Sequence, residues 1–314
     1  MKLGVTRELP LDCQSILSPY FDSILIQENG RPMTNEELRD FVTDRDVLIC
    51  QLTDAISDSL LARASKLKHI ATFSVGVDHL DLKAIKRRGI RLSHTPGVLT
   101  DATANLAWAL ILSCSRRLKR AEGFVRDGKF NGFSPGLFLG LPLERCTLGI
   151  VGMGKIGQAV AKRGEAFGMK VQYHTRTPTS YLSGQAVSFE ELIATSDVVS
   201  IHCPLTPVTQ HLFDGDALKL MKPTAVLVNT ARGPIIDEKA LAAHLIAHPD
   251  FYAGLDVFEY EPKVTPGLVD LPNVVCVPHI GSASQWAREQ MAETCIQEAM
   301  RFASGQKLLY EYVL

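Results

Sequence analysis

The stretch Gly149–Ala161, GIVGMGKIGQAVA, decides how this chain folds. Apolar residues run up to Gly152, and a helical pattern starts at Lys155. The glycines fall at 152, 154 and 157. Between a strand and a helix each has its own task. Gly152 permits the tight turn, Gly154 lets a pyrophosphate approach the backbone, and Gly157 lets the helix pack close to the sheet. The helix N-terminus then meets the negative charge. The spacing alone is a weak signal. The strand before it, the helix after it and a following strand, KVQYHT (170–175), make it a dinucleotide-binding motif.

The same alternation extends in both directions. Toward the C-terminus the spacing predicts strands VVSIHC (198–203), AVLVNTA (225–231), YAGLDV (252–257) and VVCVPH (274–279). Helices SFEELIATS (188–196), GDALKLM (215–221) and DEKALAAHLIAH (237–248) separate them. That is a doubly wound parallel sheet of six or so strands. Toward the N-terminus strands are expected at 23–26, 47–52, 69–74 and 90–93, with helices at 35–42, 54–65 and 80–88, which gives a second parallel sheet. From Asp101 one long helical pattern runs through 102–128, and 130–144, rich in Gly and Pro, reads as a loop. A last helix covers 284–305. At 314 residues two domains of about 150 residues each are expected. The first comprises 1–99 and 285–314, and the cofactor domain comprises 100–284.

Bulk properties narrow the function. A formal charge of −1 provides no field for nucleic acid or an anionic membrane. Seven scattered cysteines without a CxxC pair suggest reduced thiols, and no second ligand pair accompanies Cys276-x-x-His279, so no metal is expected. MKLGVTRELP lacks the apolar run of a signal peptide, and 106–112 is too short to span a bilayer, so the expected location is cytoplasmic.

About twenty residues after the glycines an NAD-binding protein places Asp or Glu, which bonds the ribose hydroxyls. Here VQYHTRTPTS (171–180) has no acid. Thr175, Arg176 and Thr177 stand there instead, a guanidinium between two hydroxyls, suited to a 2′-phosphate. The expectation is NADPH, with NADH weaker. Three other strand ends carry chemistry: Arg232 in NTARG, Asp256 and Glu261 in LDVFEYEP, and His279 in VPHIGSAS. An imidazolium at His279 can protonate a carbonyl oxygen that accepts hydride, Glu261 can orient that ring, and Arg232 can bind a carboxylate and polarise the carbonyl.

The motifs SVGVDHLD (74–81), TPGVLTDATANLAWALIL (95–112), GIVGMGKIGQAVA, HCPLTPVTQHLF (202–213), LVNTARGPIIDE (227–238), GLDVFEYEP and VPHIGSAS occur in this order. Together they resemble the D-isomer-specific 2-hydroxyacid dehydrogenase family over essentially the whole chain, and within it most closely the glyoxylate and hydroxypyruvate reductases. The resemblance implies two α/β domains, each a doubly wound parallel sheet: a Rossmann-type cofactor domain and a flavodoxin-like substrate domain. It implies Arg232, Glu261 and His279 as the catalytic set. Asp256 would hold the nicotinamide carboxamide with Thr103 nearby, Lys155-Ile156 would hold the pyrophosphate, Thr230 and Ala231 would line the cofactor, and Cys203-Pro204 would lie along the adenosine. The amides of Val75 and Gly76 would grip the substrate carboxylate, with Ser282 also at the substrate. It implies a homodimer built around the helix near 101–120, with Leu137 and Phe138 as candidates to reach a partner's pocket. The same resemblance extends to dinucleotide-sensing corepressors, a binding class that Arg176 disfavours, and to NAD-linked members with other substrate side chains.

Overall fold

The computed structural model describes every residue except Pro178, Ser180 and Leu182. The chain divides into two units, Met1–Leu99 with Ala283–Leu314, and Thr100–Ser282. The return to the first unit falls two residues before the expected break. The reason is local: Ser284 caps the final helix by accepting the Ala287 amide, and it belongs with that helix.

The first unit holds a five-stranded parallel sheet of β1 (Lys2–Val5), β2 (Ser23–Ile26), β3 (Val47–Cys50), β4 (His69–Thr72) and β5 (Arg91–Ser93), in the order β2-β1-β3-β4-β5. The helices α1 (Cys13–Leu17), α2 (Asn35–Val42), α3 (Asp58–Leu61) and α4 (Leu82–Arg87) connect these strands. Residues of α2, α3 and α4 form one core with Leu48, Cys50, Ile70 and Leu92. β1 and α1 are absent from the sequence reading. KLGV is four residues long and contains a glycine, so its strand character comes from pairing with β2 and β3 rather than from its own pattern. α2 matches its expected range because Thr34 and Glu37 form a capping box, with amide bonds of 3.2 and 2.8 Å. The helix expected from 54 starts only at Asp58. The Asp54 carboxylate is buried and accepts the Gln51 amide and the Thr6 hydroxyl, which keeps this residue in the loop.

The second unit holds β6 (Thr147–Val151), β7 (Lys170–His174), β8 (Gln185–Ala186), β9 (Val198–Ile201), β10 (Val226–Asn229), β11 (Tyr252–Leu255) and β12 (Val274–Cys276). The order is β12-β11-β10-β9-β6-β7-β8, and every pairing is parallel. The seventh strand, β8, is two residues on the edge and too short to be read from the sequence. Alternate side chains go to opposite faces. Leu148, Ile150, Val198, Val226 and Val228 pack with α5 (Thr100–Ser115) and α7 (Lys155–Ala166). Val151, Val199, Ile201 and Leu227 pack with α8 (Phe189–Thr195), α9 (Gly215–Leu220) and α10 (Glu238–Ala247) around Phe213 and Phe251.

The single helix expected over 102–128 is two. After α5 the chain turns at Arg117, in the left-handed region at φ 54°, and α6 follows (Leu118–Arg126). The Leu141 amide donates to the freed Ser115 carbonyl at 3.0 Å, and a Cβ on Gly140 would stand 2.2 Å from that oxygen. A tertiary contact thus overrides the good helix propensity of RRLKR. The chain closes with α11 (Gln285–Ala303), in the first unit. Among the described residues no helix is long and apolar enough to cross a membrane, and no cluster of His, Cys, Asp or Glu is arranged to hold a metal. All seven cysteines are free thiols.

Candidate active site

Parallel pairing delivers the carboxyl ends of all seven strands of the second unit to one edge. Val151 lies level with His174 and Ile201, Ile201 with Asn229, Asn229 with Leu255, and Leu255 with Cys276. Gly152, Thr175 to Thr177, Cys203, Thr230 to Arg232, Asp256 and His279 all follow these positions. The fold gathers them along the edge where open α/β sheets bind ligands.

The strand order reverses between β6 and β9, and there Gly152 meets Cys203. Gly152 has φ +98°, and a Cβ would stand 2.5 Å from the Cys203 nitrogen, so only glycine fits the turn. A Cβ on Gly157 would lie 2.2 Å from the Gly152 carbonyl oxygen. Gly154 is different: it N-caps α7 with no side-chain cap, and nothing stands within 4 Å of the place a Cβ would occupy. An uncapped helix start with clear space beside it fits a pyrophosphate, whose oxygens would take the amides of Lys155, Ile156 and Gly157. The Thr230 hydroxyl oxygen on the same edge is buried without a partner among the described residues, a second feature that fits a bound polar ligand. Arg176 and Thr177 are exposed after β7, and the Thr175 hydroxyl donates to the Thr177 carbonyl at 3.3 Å. Burial pushes the Cys203 thiol up to about 11, while the nearby Arg176 charge pulls it back. Pro204 beside it is exposed.

At the β10–β12 end the groups are tied together. His279 Nδ1 and Glu261 Oε2 are 2.9 Å apart, and both side chains are partly exposed. The other Glu261 oxygen accepts the Phe258 amide at 3.0 Å. Burial raises the Glu261 carboxyl, but its bond to His279, the His279 and Arg232 charges and the Phe258 amide outweigh that and hold it below its ordinary value. His279 stands at φ +53°, and its amide donates to the Asp256 carbonyl at 2.8 Å. The buried Asp256 carboxylate accepts the Ile280 amide at 2.6 Å and the Gly281 amide at 2.8 Å. Burial pushes Asp256 up to about 6 against those two amides and the His279 charge. A Cβ on Gly281 would lie 3.1 Å from an Asp256 oxygen and 3.6 Å from the Thr103 hydroxyl, so buried Thr103 is part of this cluster.

Arg232 precedes a 3-10 turn, Gly233–Ile235, and Nη1 donates to the Ala231 carbonyl at 2.8 Å. Asn229 holds the bend, accepting the Ala231 amide at 2.9 Å and donating to the Arg232 carbonyl at 2.8 Å. A Cβ on Gly233 would stand 1.9 Å from the Phe258 carbonyl atoms, so the turn after Arg232 lies directly on the chain leading to Glu261. Three further residues, His211, Glu238 and Glu259, bond into this region. Glu238 and Glu259 accept backbone amides of each other's segments, and His211 Nε2 pairs with the Glu259 carboxylate; all of these partners are far apart in sequence, which no local pattern announces.

Other expected residues are described within their own surroundings. Val75 and Gly76 follow β4 in the first unit, where the Val75 carbonyl accepts from His94 Nδ1 at 3.0 Å and the Gly76 carbonyl accepts the Ser74 hydroxyl at 2.7 Å. Ser282 ends the second unit. Phe138 packs edge-on to Phe124 with the Arg120 guanidinium over its ring, whereas Leu137 is exposed.

A Gly-x-Gly-x-x-Gly turn at a sheet switch point, with a histidine–carboxylate pair and an arginine on the same edge, defines a dinucleotide-dependent oxidoreductase. Residues 108–281 match the family described as D-isomer specific 2-hydroxyacid dehydrogenase, NAD binding domain. The chain is 43% identical to the glyoxylate reductase of Thermococcus litoralis over 97% of its own length and 94% of that protein. A Thermus thermophilus crystal structure superposes with a TM-score of 0.93 at 45% identity, covering 100% of both chains. A Sinorhizobium meliloti NADPH-dependent glyoxylate/hydroxypyruvate reductase, in complex with NADP and malonate, superposes with a TM-score of 0.86 at 30% identity, covering 99% of this chain and 96% of that one. The chain belongs to the D-isomer-specific 2-hydroxyacid dehydrogenase family. It is therefore an enzyme that uses a nicotinamide dinucleotide to interconvert 2-hydroxy and 2-oxo acids.

Proposed function

We propose that this enzyme reduces glyoxylate or hydroxypyruvate to the D-2-hydroxy acid, with NADPH as the preferred cofactor and NADH as a weaker one. The observation that carries this reading is the 2.9 Å pair of His279 Nδ1 and Glu261 Oε2 on the same sheet edge as the glycine turn. When bound, the reduced nicotinamide supplies hydride to the carbonyl carbon. The carbonyl oxygen then gathers negative charge, and His279 donates a proton from Nε2, since Nδ1 is engaged by Glu261. Glu261 orients the imidazole through its bond to Nδ1, and Arg232 binds the substrate carboxylate and polarises the carbonyl. The amides of Val75 and Gly76 are assigned to the substrate carboxylate as well, with Ser282 beside it. Asp256, keeping lone pairs beyond its two amide bonds, is assigned with Thr103 to the nicotinamide carboxamide.

The substrate class is supported by the names of the Thermococcus and Sinorhizobium relatives, and the cofactor preference by the exposed Arg176 between two threonines. Exposed Leu118, Val125, Phe130, Phe133 and Leu139 support a homodimer contact at α6 and the loop after it, which a monomer mass in sedimentation would exclude. The deciding experiment is a steady-state panel of glyoxylate, hydroxypyruvate, pyruvate and phenylpyruvate with both cofactors. The expected result is the highest kcat/KM for glyoxylate or hydroxypyruvate with NADPH, and a panel led by pyruvate or phenylpyruvate would reject that substrate choice. Absence of turnover with every acid would overturn the reading.

A further inference from the structure

Behind the acid–base pair, three side chains join the loop of Arg232 to the loop of Glu261. Glu238 is 2% exposed in the first turn of α10. One of its oxygens accepts the Glu259 amide at 2.6 Å and the other accepts the Thr265 amide at 3.1 Å. Those amides are the two ends of the segment that presents Glu261. Glu259 bonds back: Oε2 accepts the Glu238 amide at 3.2 Å, and Oε1 pairs with His211 Nε2 at 2.8 Å. His211 stands at φ +49°, and its amide donates to the Pro234 carbonyl at 2.8 Å, two residues past Arg232.

We propose that Glu238, Glu259 and His211 are positioning residues that set the geometry of the Glu261–His279 pair; this rests on the acid–base role given to that pair above. None of the three is assigned a contact with reacting atoms. Glu238 serves two amides at once, which needs an acceptor at both oxygens. A glutamine would turn an NH2 group toward one of them. Glu261 has one oxygen on the Phe258 amide and one on His279, so any turn of the 259–265 segment acts on the histidine bond. A looser bond orients the imidazole less well. The charged groups around His279 are Glu261, Asp256 and, through Glu261, Arg232, while those around the clamp are Asp237 and the clamp carboxylates themselves, with the neutral Tyr260 hydroxyl bonded to Glu259.

The test is an NMR spectrum of the histidine Cε1 protons in the intact enzyme, with the His279 signal identified by its loss in His279→Ala. Glu238→Gln and His211→Ala are expected to displace that signal from its wild-type position. His211→Gln, which keeps an N–H donor for Glu259, is expected to restore it. In turnover, kcat falls about tenfold, while the cofactor KM stays as in the wild type. A loss of folded fraction alone would lower kcat without moving the signal. A His279 signal at the wild-type position in both Glu238→Gln and His211→Ala overturns the clamp. If Glu238→Gln does not fold, the half-exposed His211 pair of variants decides alone. The spectrum needs no substrate, so failure of the 2-oxo acid reading in the activity panel remains distinct from failure of the clamp.

Discussion

The two ends of one sheet edge are built differently. At the β10–β12 end, Glu261, His279, Asp256 and the turn after Arg232 are held by short bonds to backbone amides and carbonyls from several segments. At the β6–β7 end, Arg176 and Thr177 are exposed, and the space beside Gly154 is open. The difference fits the two tasks proposed for these ends. Proton transfer needs groups held within a fraction of an ångström of the reacting atoms. Choosing between cofactors needs only a charge within reach of a phosphate. Substitutions at the tied end should therefore impair turnover with either cofactor, and substitutions at the open end should act on cofactor binding.

The largest effect is expected from His279→Ala. Loss of the proposed proton donor should lower kcat for 2-oxo acid reduction by about 10²- to 10⁴-fold, equally with NADPH and NADH. Steady-state kinetics with both cofactors measures it. A loss confined to one cofactor would break the distinction between the two ends.

A pair of glycines sharpens it. Gly233→Ala forces a methyl into the Phe258 carbonyl, 1.9 Å away, so the Arg232 turn and the Glu261 segment must separate. The expected cost is about 1–3 kcal/mol of stability, read by denaturant unfolding, together with lost turnover. Gly154→Ala meets open space at φ −75°, so the fold should tolerate it while the methyl obstructs the pyrophosphate. Unfolding as in the wild type with a raised KM for both cofactors is the expected result. Equal destabilisation by the two alanines would remove the contrast.

Asp256 tests the tied end by pH. Burial raises its carboxyl from 3.8 to about 6, so the folded protein holds that proton over a range where the unfolded chain has released it. A raised folded-state value contributes stability below the unfolded value, and that contribution is lost as pH rises through about 6. In Asp256→Asn this pH-dependent part is gone. The Tm of the wild type relative to the variant should thus be highest near pH 4 and fall by on the order of 5 °C toward pH 7. A difference that stays flat would mean that the Ile280 and Gly281 amides keep Asp256 ionised throughout.

What could be read from the sequence divides along the same lines. Buried parallel strands such as VLVN and VVSI are apolar runs between turn signals, so both sheets were visible, as were the glycine turn and the strand-end Arg, Glu and His. β1 and β8 were not, because KLGV and QA become strands only through their neighbours. The break at Arg117 depends on the Leu141 amide, a partner more than twenty residues away. His211, Glu238 and Glu259 escaped for a related reason: Glu238 and Glu259 accept amides of another segment, His211 pairs with the Glu259 carboxylate 48 residues away, and in the sequence they look like solvated polar residues.

The smallest effect expected is also the most selective. Arg176 is exposed, so its charge acts through solvent and only a bound phosphate would bring it to full strength. Arg176→Ala should lower kcat/KM for NADPH about tenfold, in line with the loss of one charge-assisted hydrogen-bonding group. NADH has no 2′-phosphate, so its kcat/KM should stay within about twofold of the wild type. Raising the salt concentration should weaken NADPH binding in the wild type and leave the variant less affected. Equal losses with the two cofactors would mean that Arg176 supports the β7 loop rather than reading the phosphate. The open end would then carry no selector at this position.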